Sequence, residues 1–306
     1  MKNILLIPYI QIHNANALSS PYTIGFPALT AWLGAVHALQ RQLKTRNVDF
    51  EDLDFKSVGI VCHDINLQTH KGQSDFVYSI IGTGNPLVEN KKRKQGEKRE
   101  EFARPPFIEE ARCHLTVSLI IEYACDYDQD LTEHVDQFIT GKLKFAGGDV
   151  VTAKPSETFE IDLENQKQLI TKLMPGFCLV ERRNLMQQAM TDEKNPKDVI
   201  DALLDYLTVK HTSQIDKDKV TWTSSRKTKG WIVPIATGFH GISDLGFAEN
   251  QRDPDTLHRF AESIVTLGEF IMPYRIDNLD NMLWHTHVDV ENNLYLCQQN
   301  QPINHS

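Results

Sequence analysis

The chain has 306 residues, of which 41% are hydrophobic, and a formal net charge of −9. This length accommodates one large or two modest domains, and the composition is typical of a globular protein. The negative charge excludes a protein that coats nucleic acid indiscriminately, because such binding depends on phosphate neutralisation, but it permits a local basic groove. No apolar run reaches the length of a bilayer span, so we expect no membrane partner.

The N-terminus and the cysteines both indicate a reduced cytoplasmic location. Pro8 and Tyr9 interrupt the short apolar run that follows Lys2, which argues against an export signal. The five cysteines are odd in number and form no Cys-x-x-Cys pair, so they predict neither a zinc ribbon nor a disulfide framework. They are Cys62, Cys113, Cys125, Cys178 and Cys297.

The first half of the chain alternates apolar strand-like runs with amphipathic helical segments. We predict strands at Asn3–Ile12, Ser57–His63, Arg112–Glu122 and Asp149–Thr152, and helices from Pro27 to about Lys44 and at Asp130–Ile139. The order strand, helix, strand, long excursion, strand, helix, strand is that of a ferredoxin-like or RRM-like fold. The aromatic signature of ordinary RNA-recognition motifs is missing, so stacking of RNA on the sheet is not expected.

The excursion between the second and third strands spans about residues 82–106 and contains KKRKQGEKREEFARPP. A basic run that passes into mixed charge and paired prolines cannot bury itself. It is either an inserted basic arm or a solvated loop without a partner, and composition alone does not choose between them.

Composition changes after about Lys154, where the chain becomes acidic and rich in glutamine. We predict helices at Glu157–Leu173, near Pro196–Leu207 and from Asp255 to about Ile271, and a polar linker at Lys210–Lys219. The predicted fold class is therefore α+β. It comprises an RRM-like domain over 1–170, with the basic arm at about 82–106, and a C-terminal mixed α/β region over 171–306.

The segment 11–43 carries the most chemical information. A polar loop bounded by Pro21, Gly25 and Pro27 leads into a helix with one apolar face, and His37 and Arg41 lie one turn apart on its flank. Asparagine and serine suit base edges and 2′-hydroxyls, whereas arginine and lysine suit phosphates. These residue types gather in a set of candidate RNA-binding residues: Asn14, Asn16, Ser19, Ser20, His37, Arg41, Lys144, Arg182, Arg226 and Trp231. Each cluster alone also fits an ordinary surface, and Trp231 fits a core anchor.

An enzymatic alternative rests on two short motifs. His114-Leu115-Thr116 and His211-Thr212-Ser213 fit the H-x-T/S pattern of a two-histidine phosphoesterase or an RNA-processing endonuclease, in which one imidazole acts as base and the other as acid. The second copy lies in a polar segment with no strand character, which weakens this alternative. We therefore expect no catalytic residues.

A metal site is a further alternative near the C-terminus. His285 and His287 alternate along one strand close to Asp289 and Glu291. Spacing fixes no third ligand, so we predict a structural or surface histidine pair and neither a metal nor another cofactor.

Several motifs carry a family resemblance. The run N-A-N-A-x-S-S-P-x-T-x-G-F-P, followed by V-H-A-L-Q-R, resembles the N-terminal signature of a Cas-five-family subunit of the type I-F CRISPR surveillance (Csy) complex. The segments VGIVCH, AGG, LMPGFCLVER, GWIVPI, LGE and MLWHTH resemble the same subunit in the same order. The resemblance covers nearly the whole chain.

The resemblance implies a non-catalytic subunit of an antiviral ribonucleoprotein. Such a subunit binds the 5′ handle of the crRNA, pairs with the large subunit, abuts the first backbone subunit and meets target DNA through the complex. The matching basic positions are Arg41, Lys144, Arg182 and Arg226, and Lys144 replaces the usual arginine, so it keeps the charge but loses the bidentate fork. Related proteins carry a thumb at the position of the excursion, which favours an arm. A structural adaptor whose loop contacts only protein stays open.

Overall fold

The computed structural model describes residues 2–82, 88–89, 102–103, 110–192, 196–216 and 219–300. The predicted basic arm at about 82–106 therefore lies outside the described residues, apart from residue 82 and the two dipeptides. These dipeptides pair as short antiparallel strands.

The described residues form an α+β structure, which confirms the predicted class. The helices are α1 (Leu29–Arg46), α2 (Leu131–Lys142), α3 (Leu163–Lys172), α4 (Arg183–Met190) and α5 (Val199–Leu207). The strands are β1 (Asn3–Asn16), β2 (Leu18–Ser20), β3 (Thr23–Ile24), β4 (Asp54–Leu67), β5 (Thr69–His70), β6 (Ser79–Ile80), β7 (Val88–Glu89), β8 (Phe102–Ala103), β9 (Arg112–Ala124), β10 (Lys144–Phe145), β11 (Gly148–Thr152), β12 (Glu157–Glu160), β13 (Phe177–Glu181), β14 (Lys210–Asp216), β15 (Lys219–Ser225), β16 (Trp231–Gly241), β17 (Ala261–Ile271), β18 (Leu283–Asp289) and β19 (Leu294–Gln298). Short 3₁₀ helices occur at Val48–Phe50, Pro273–Arg275 and Leu279–Met282.

One antiparallel sheet of eleven strands organises the molecule, in the order β10-β11-β1-β9-β4-β13-β17-β16-β19-β18, with β12 also paired to β1. The second edge of β4 is shared, since Val61 and Cys62 pair with β13 while Val58 and Gly59 pair with β18. The strands from β4 through β13, β17, β16, β19 and β18 therefore form a closed circuit. This circuit joins the two halves of the sequence; the proposed division near residue 170 stays a prediction.

Three apolar clusters hold the helices to the sheet. Leu5 and Ile7 of β1 belong to the cluster under α1 and α2, whereas Ile4 and Leu6 belong to the cluster under α3. Because β1 is covered on both faces, its sequence is a continuous apolar run rather than an alternating one. The third cluster packs α4 and α5 against β16 and β17 through residues such as Ile232.

The predicted elements of the first half are confirmed, with ends shifted by a few residues. The prediction of one helix over Glu157–Leu173 is partly wrong. Residues Glu157–Glu160 form β12 on β1, and α3 begins only after Asp162, whose carboxylate accepts from the backbone N–H groups of Glu164 and Asn165. An aspartate that caps a helix sets its start, because it satisfies amides that have no partner inside the helix.

Two predictions in the second half are wrong. Of the polar linker predicted at Lys210–Lys219, residues 210–216 and 219 lie instead in the strands of the β14–β15 hairpin, which pair along their whole length. Residues 217 and 218 lie outside the described residues. The helix predicted from Asp255 to Ile271 is strand β17 over Ala261–Ile271, paired with β16 and β13. Isoleucine, valine and threonine occupy positions 264–266 in the middle of this strand, and these β-branched residues favour a pleated surface.

The cysteines are free thiols, and Cys125 alone among them is only partly buried. Burial raises the pKa of Cys62 to about 12, so this thiol behaves as a small apolar side chain. No helix in the described ranges combines the length and apolar content needed to cross a bilayer.

Candidate functional site

A groove opens where β1 leaves the sheet, and its residues come from four separate parts of the chain. We call it the β1 groove. Its volume is about 530 Å³, and it is lined by Asn16, Leu18, Ser19, Ala28, Ala31, Glu110, Arg112, Ala146 and Gly147. It thus unites two predicted RNA-binding residues with the start of β9 and the β10–β11 turn.

A bulge at the end of β1 presents the polar side chains of the groove. The register against β9 shifts between Ile12 and Ala15, and Asn14 adopts a left-handed φ of 56°. The backbone N–H of Asn14 donates to His114 Nδ1 at 3.1 Å, and Arg112 Nη1 donates to the Asn14 carbonyl at 3.2 Å. Bulges re-aim side chains at the end of a ladder. Here Asn14 itself is exposed beside the groove, held by two residues of β9.

The tight turn between β10 and β11 forms the opposite wall. Asn16 N–H donates to the Ala146 carbonyl at 2.8 Å, and Ala146 and Gly147 have φ values of 49° and 75°. A Cβ on Gly148 would lie 2.8 Å from the Ala15 Cα. Only glycine permits this approach of the turn to β1, which explains the Ala-Gly-Gly sequence in structural terms.

The β2–β3 hairpin forms the third wall, and its hydroxyl groups have different roles. Asn16 Oδ1 accepts from the Leu18 N–H at 3.0 Å, which turns the chain into β2. Ser20 is buried, and its Oγ lies 2.6 Å from Thr23 Oγ1. Ser19 is half-buried, lines the groove, and has its Oγ 2.9 Å from the same Thr23 oxygen. Both hydroxyls therefore stabilise the hairpin, and Ser19 is the one that a ligand in the groove can also reach.

Two cations around the groove are matched by carboxylates. Arg112 Nη2 lies 2.6 Å from Glu110, and Lys144, just before the β10–β11 turn, pairs with Asp149. The rings of His13 and His114 stand with centroids 4.5 Å apart next to Asn14. An anionic ligand would share the guanidinium and ammonium groups with these carboxylates rather than meet bare positive charge.

A second groove of about 550 Å³ surrounds Trp231, which is 45% exposed. We call it the Trp231 groove; Phe177, Lys229 and Arg275 are among its walls. The Trp231 ring packs on Phe270 at a centroid distance of 4.9 Å. A chain of ring contacts continues from Phe270 through Phe26 and Trp32 to Phe145 beside the β10–β11 turn. These packed rings fix the two grooves relative to each other.

Other predicted residues lie away from the β1 groove. His37 lines a groove of about 390 Å³ with Gln40, Trp284 and Tyr295, and Arg41 is exposed one turn further along α1. The helix rises about 15 Å between Ala31, in the β1 groove, and Arg41. The β1 groove therefore contains Asn16 and Ser19 of the predicted loop, while the two helix residues belong to a different surface.

Two further predicted arginines have contrasting environments. Arg182 is 6% exposed, and its Nε lies 3.2 Å from a Glu269 carboxylate oxygen, so it stabilises the interior in this conformation. Arg226 is exposed directly after β15. Their predicted RNA contacts stay predictions.

The two H-x-T/S motifs occupy separate sheets. His114 lies in the large sheet, and His211 lies on the β14–β15 hairpin with its Nδ1 2.8 Å from Ser224 Oγ. The expectation that residues 211–213 lack strand character was wrong, because they pair with β15. Even so, nothing in the described structure joins the imidazoles in one cleft.

The described residues contain no group of three or more potential ligands that could hold a metal ion. His285 and His287 lie on β18, where burial lowers the pKa of His285 and the neighbouring His287 and Arg183 lower it further. His285 is half-buried and His287 is exposed, so the pair combines a packed and a surface histidine.

Sequence reasoning missed three contributors to the β1 groove. These are Arg112, Glu110 and the backbone of the Ala146–Gly147 turn. Arg112 stood on the polar face of a predicted strand, but only the register of β9 against β1 places it opposite Asn16.

Comparisons with known proteins agree over nearly the whole chain. The family described as CRISPR-associated protein (Cas_Csy2) matches residues 5–297. The CRISPR-associated protein Csy2 of Pseudomonas aeruginosa (strain UCBPP-PA14) is 31% identical over 338 residues, covering 99% of this chain and 97% of that protein. The chain therefore belongs to the Csy2 family of CRISPR-associated proteins, and this membership supports its assignment as a subunit of the type I-F Csy complex in antiviral defence.

Proposed function

We propose that this chain is a non-catalytic subunit of the type I-F Csy complex and holds the 5′ handle of the crRNA in the β1 groove. The observation that carries the proposal is the convergence of Asn16, Ser19, Arg112 and the Ala146–Gly147 backbone on one groove. Amides, hydroxyls and backbone groups can read base edges and 2′-hydroxyls, and a guanidinium can hold a phosphate. The volume of about 530 Å³ lies within the usual range of small-ligand sites and suits a splayed nucleotide.

The N-terminal half is proposed to be ferredoxin-like, in the RRM-like variant. The support is the antiparallel order β11-β1-β9-β4, together with α1 and α2 on one face. In ordinary RNA-recognition motifs the RNA stacks on the sheet face opposite the helices. Here Leu169 and Leu173 of the α3 region cover that face. The covered face supports RNA binding at the end of β1 rather than on the sheet, in accord with the missing aromatic signature.

The proposed partners follow from the family and from the resemblance of the motifs. The chain pairs with the large subunit, abuts the first backbone subunit and meets target DNA through the complex in the cytoplasm. His37, Arg41, Arg182, Arg226 and Trp231 lie outside the β1 groove and stay predicted RNA contacts. Among them, Trp231 has the clearest means of binding, because a half-exposed indole between Lys229 and Arg275 can stack a base.

The decisive experiment compares two surfaces of the same chain. Asn16→Ala combined with Ser19→Ala should weaken handle binding by roughly thirtyfold to a thousandfold in a complex reconstituted with the other Csy subunits, since each of the two lost base or sugar contacts costs about 1–2 kcal/mol. Asn300→Ala, an exposed asparagine at the other end of the chain, is the matched control. Equal losses in the control, or none in the double variant, refute the β1 groove as the handle site.

Two additions separate the alternatives. Photo-crosslinking of the handle to the chain within the complex distinguishes an RNA-binding subunit from an adaptor that contacts only protein. Incubation of RNA with the purified chain and divalent metal tests the enzymatic alternative. Cleavage that disappears in His114→Ala would favour an endonuclease over the proposal.

A further inference from the structure

Exposed apolar side chains form a row across three strands at the far end of the sheet. Phe239 of β16 is the direct partner of Tyr295 on β19, and Tyr295 is the direct partner of Val288 on β18. Directly opposed residues of antiparallel strands project from the same face. The three side chains are 42%, 37% and 59% exposed, respectively, so the face they form is open to solvent.

The row is one wall of a groove of about 270 Å³ that also includes Leu245 and Val290. We call it the β18–β19 groove. Arg259 forms another wall and donates from Nη1 to Asn293 Oδ1. A Cβ on Gly241 would lie 2.6 Å from the Arg259 Cδ, so the arginine packs directly over the bare backbone of this glycine. The groove is therefore a packed feature of the fold.

Apolar exposure continues on both sides of the groove. Phe247 and Phe260, on the segment that joins β16 to β17, are 71% and 74% exposed. Tyr295 also lines the groove beside His37 on α1, which extends the surface towards the helix. Soluble proteins rarely expose contiguous apolar patches of this kind unless the patch is an interaction site.

The net negative charge around the groove determines which kind of partner can bind there. Residues 239–262 and 287–295 contain seven carboxylates and two cationic side chains, and Arg259, one of the two, is bonded within the groove wall. The carboxylates are Asp244, Glu249, Asp253, Asp255, Glu262, Asp289 and Glu291. A nucleic-acid backbone would be repelled, because binding it requires phosphate neutralisation. A protein surface with an apolar anchor and surrounding lysines or arginines is complementary in both respects.

We propose that the β18–β19 groove docks another protein subunit of the complex through an apolar anchor surrounded by basic side chains. This inference rests on the proposed function, since it assumes that the chain works in the Csy complex. It assigns the acidic, apolar end of the sheet to protein and leaves the β1 groove to RNA.

A matched pair of valines tests the apolar contact. Val290 is 79% exposed in the groove, and Val48 is 82% exposed on a 3₁₀ helix near the end of α1. Val290→Ser combined with Val288→Ser should weaken retention of the full chain in the complex, co-expressed with the other Csy subunits and a guide RNA, by roughly tenfold or more. Val48→Ser should leave retention unchanged. Quantitative mass spectrometry of the purified complex measures the retained chain.

A charge reversal tests the electrostatic part. Glu291→Lys should weaken retention severalfold at low salt and should reduce the dependence of retention on salt, because exposed charges are screened as ionic strength rises. Circular dichroism of each variant confirms that the fold is intact.

Three outcomes overturn the proposal. Full retention of the valine double variant removes the docking role. A stable dimer of the isolated chain that the double variant abolishes assigns the groove to a second copy. Loss of guide RNA with all protein subunits retained assigns it to nucleic acid. Failure of the RNA proposal is distinguishable, because Asn16→Ala with Ser19→Ala would then leave handle binding intact while Val288→Ser with Val290→Ser still releases the chain.

Discussion

Replacing Arg112 by glutamine gives the sharpest test of the β1 groove. The guanidinium lies 2.6 Å from the Glu110 carboxylate, donates to the Asn14 carbonyl at 3.2 Å and lines the groove with Asn16. Arg112→Gln removes one cation and leaves the Glu110 carboxylate facing the RNA. We therefore expect weaker handle binding of every sequence and a flatter salt dependence, as for a lost phosphate contact.

The structure sets the size of this effect. The Arg112 side chain is 34% exposed, so solvent screens its charge, and a cost of about 1–2 kcal/mol is expected rather than the larger value of a buried pair. That corresponds to roughly tenfold in affinity, with the slope of log affinity against log salt reduced by about one unit. Glu110→Gln should act in the opposite direction, because it removes a carboxylate that competes with phosphate. The double variant should lie between the single variants, and the cycle isolates their coupling.

Fluorescence anisotropy of labelled handle RNA in the reconstituted complex, between about 50 and 200 mM salt, measures these quantities. Urea unfolding is the control, and it should show that Arg112→Gln costs at most about 1 kcal/mol of stability, as expected for an exposed ion pair. An unchanged salt slope in Arg112→Gln, or weaker binding by Glu110→Gln, would refute the assignment of Arg112 to phosphate.

Three further predictions concern two residues next to the groove, Gly148 and Lys144, and His63 on β4. Gly148→Ala should cost about 1–3 kcal/mol in urea unfolding and weaken handle binding, because its Cβ would meet the backbone of Ala15 at 2.8 Å. Lys144→Arg should tighten binding severalfold in the anisotropy assay by restoring a bidentate fork. Burial lowers the pKa of His63 from 6.5, so the unfolded chain binds the proton more readily than the folded chain. The free energy of unfolding should therefore fall as the pH drops below about 6.5. His63→Gln should reduce this pH dependence in urea titrations between about pH 7.5 and 5.5. Equal stability of Gly148→Ala, weaker binding by Lys144→Arg, or an unchanged pH slope in His63→Gln would contradict these predictions in turn.

The sequence predicts those elements whose spacing of apolar residues is compatible with only one kind of secondary structure. The continuous apolar run of β1 matches a strand covered on both faces, and the spacing of Leu29, Trp32, Leu39 and their neighbours matches the buried face of α1. The spacing of apolar residues does not predict an element that is stabilised mainly by pairing with a neighbouring strand. In β12, Glu157–Glu160 alternates half-buried and exposed positions, and it is held by pairing with β1. Its propensity alone does not specify a strand.

The hairpin β14–β15 shows a different reason for failure. Its residues in β15 are exposed throughout, so no buried face leaves an alternating pattern of hydrophobic residues. Cross-strand pairs such as Thr212 with Thr223 hold it, with their hydroxyl oxygens 2.7 Å apart. Such pairs depend on register, which the polar sequence of a single strand does not reveal.

The residues of the candidate site likewise include some that the sequence predicts to lie together and some that only the sheet order brings together. Asn16 and Ser19 are close in sequence, so a polar loop already predicted that they would share a surface. Arg112 and the Ala146–Gly147 turn reach them through β9 and β11, which flank β1 only because the sheet is ordered β11-β1-β9. The bulge at Asn14 then aims the end of β1 between these neighbours. If RNA recognition depends on the meeting of these segments, a shift in the register of β11 should impair handle binding as strongly as the loss of a contacting side chain. Gly148 contacts β1 and so controls this register. It is therefore a more informative position for substitution than any single polar residue.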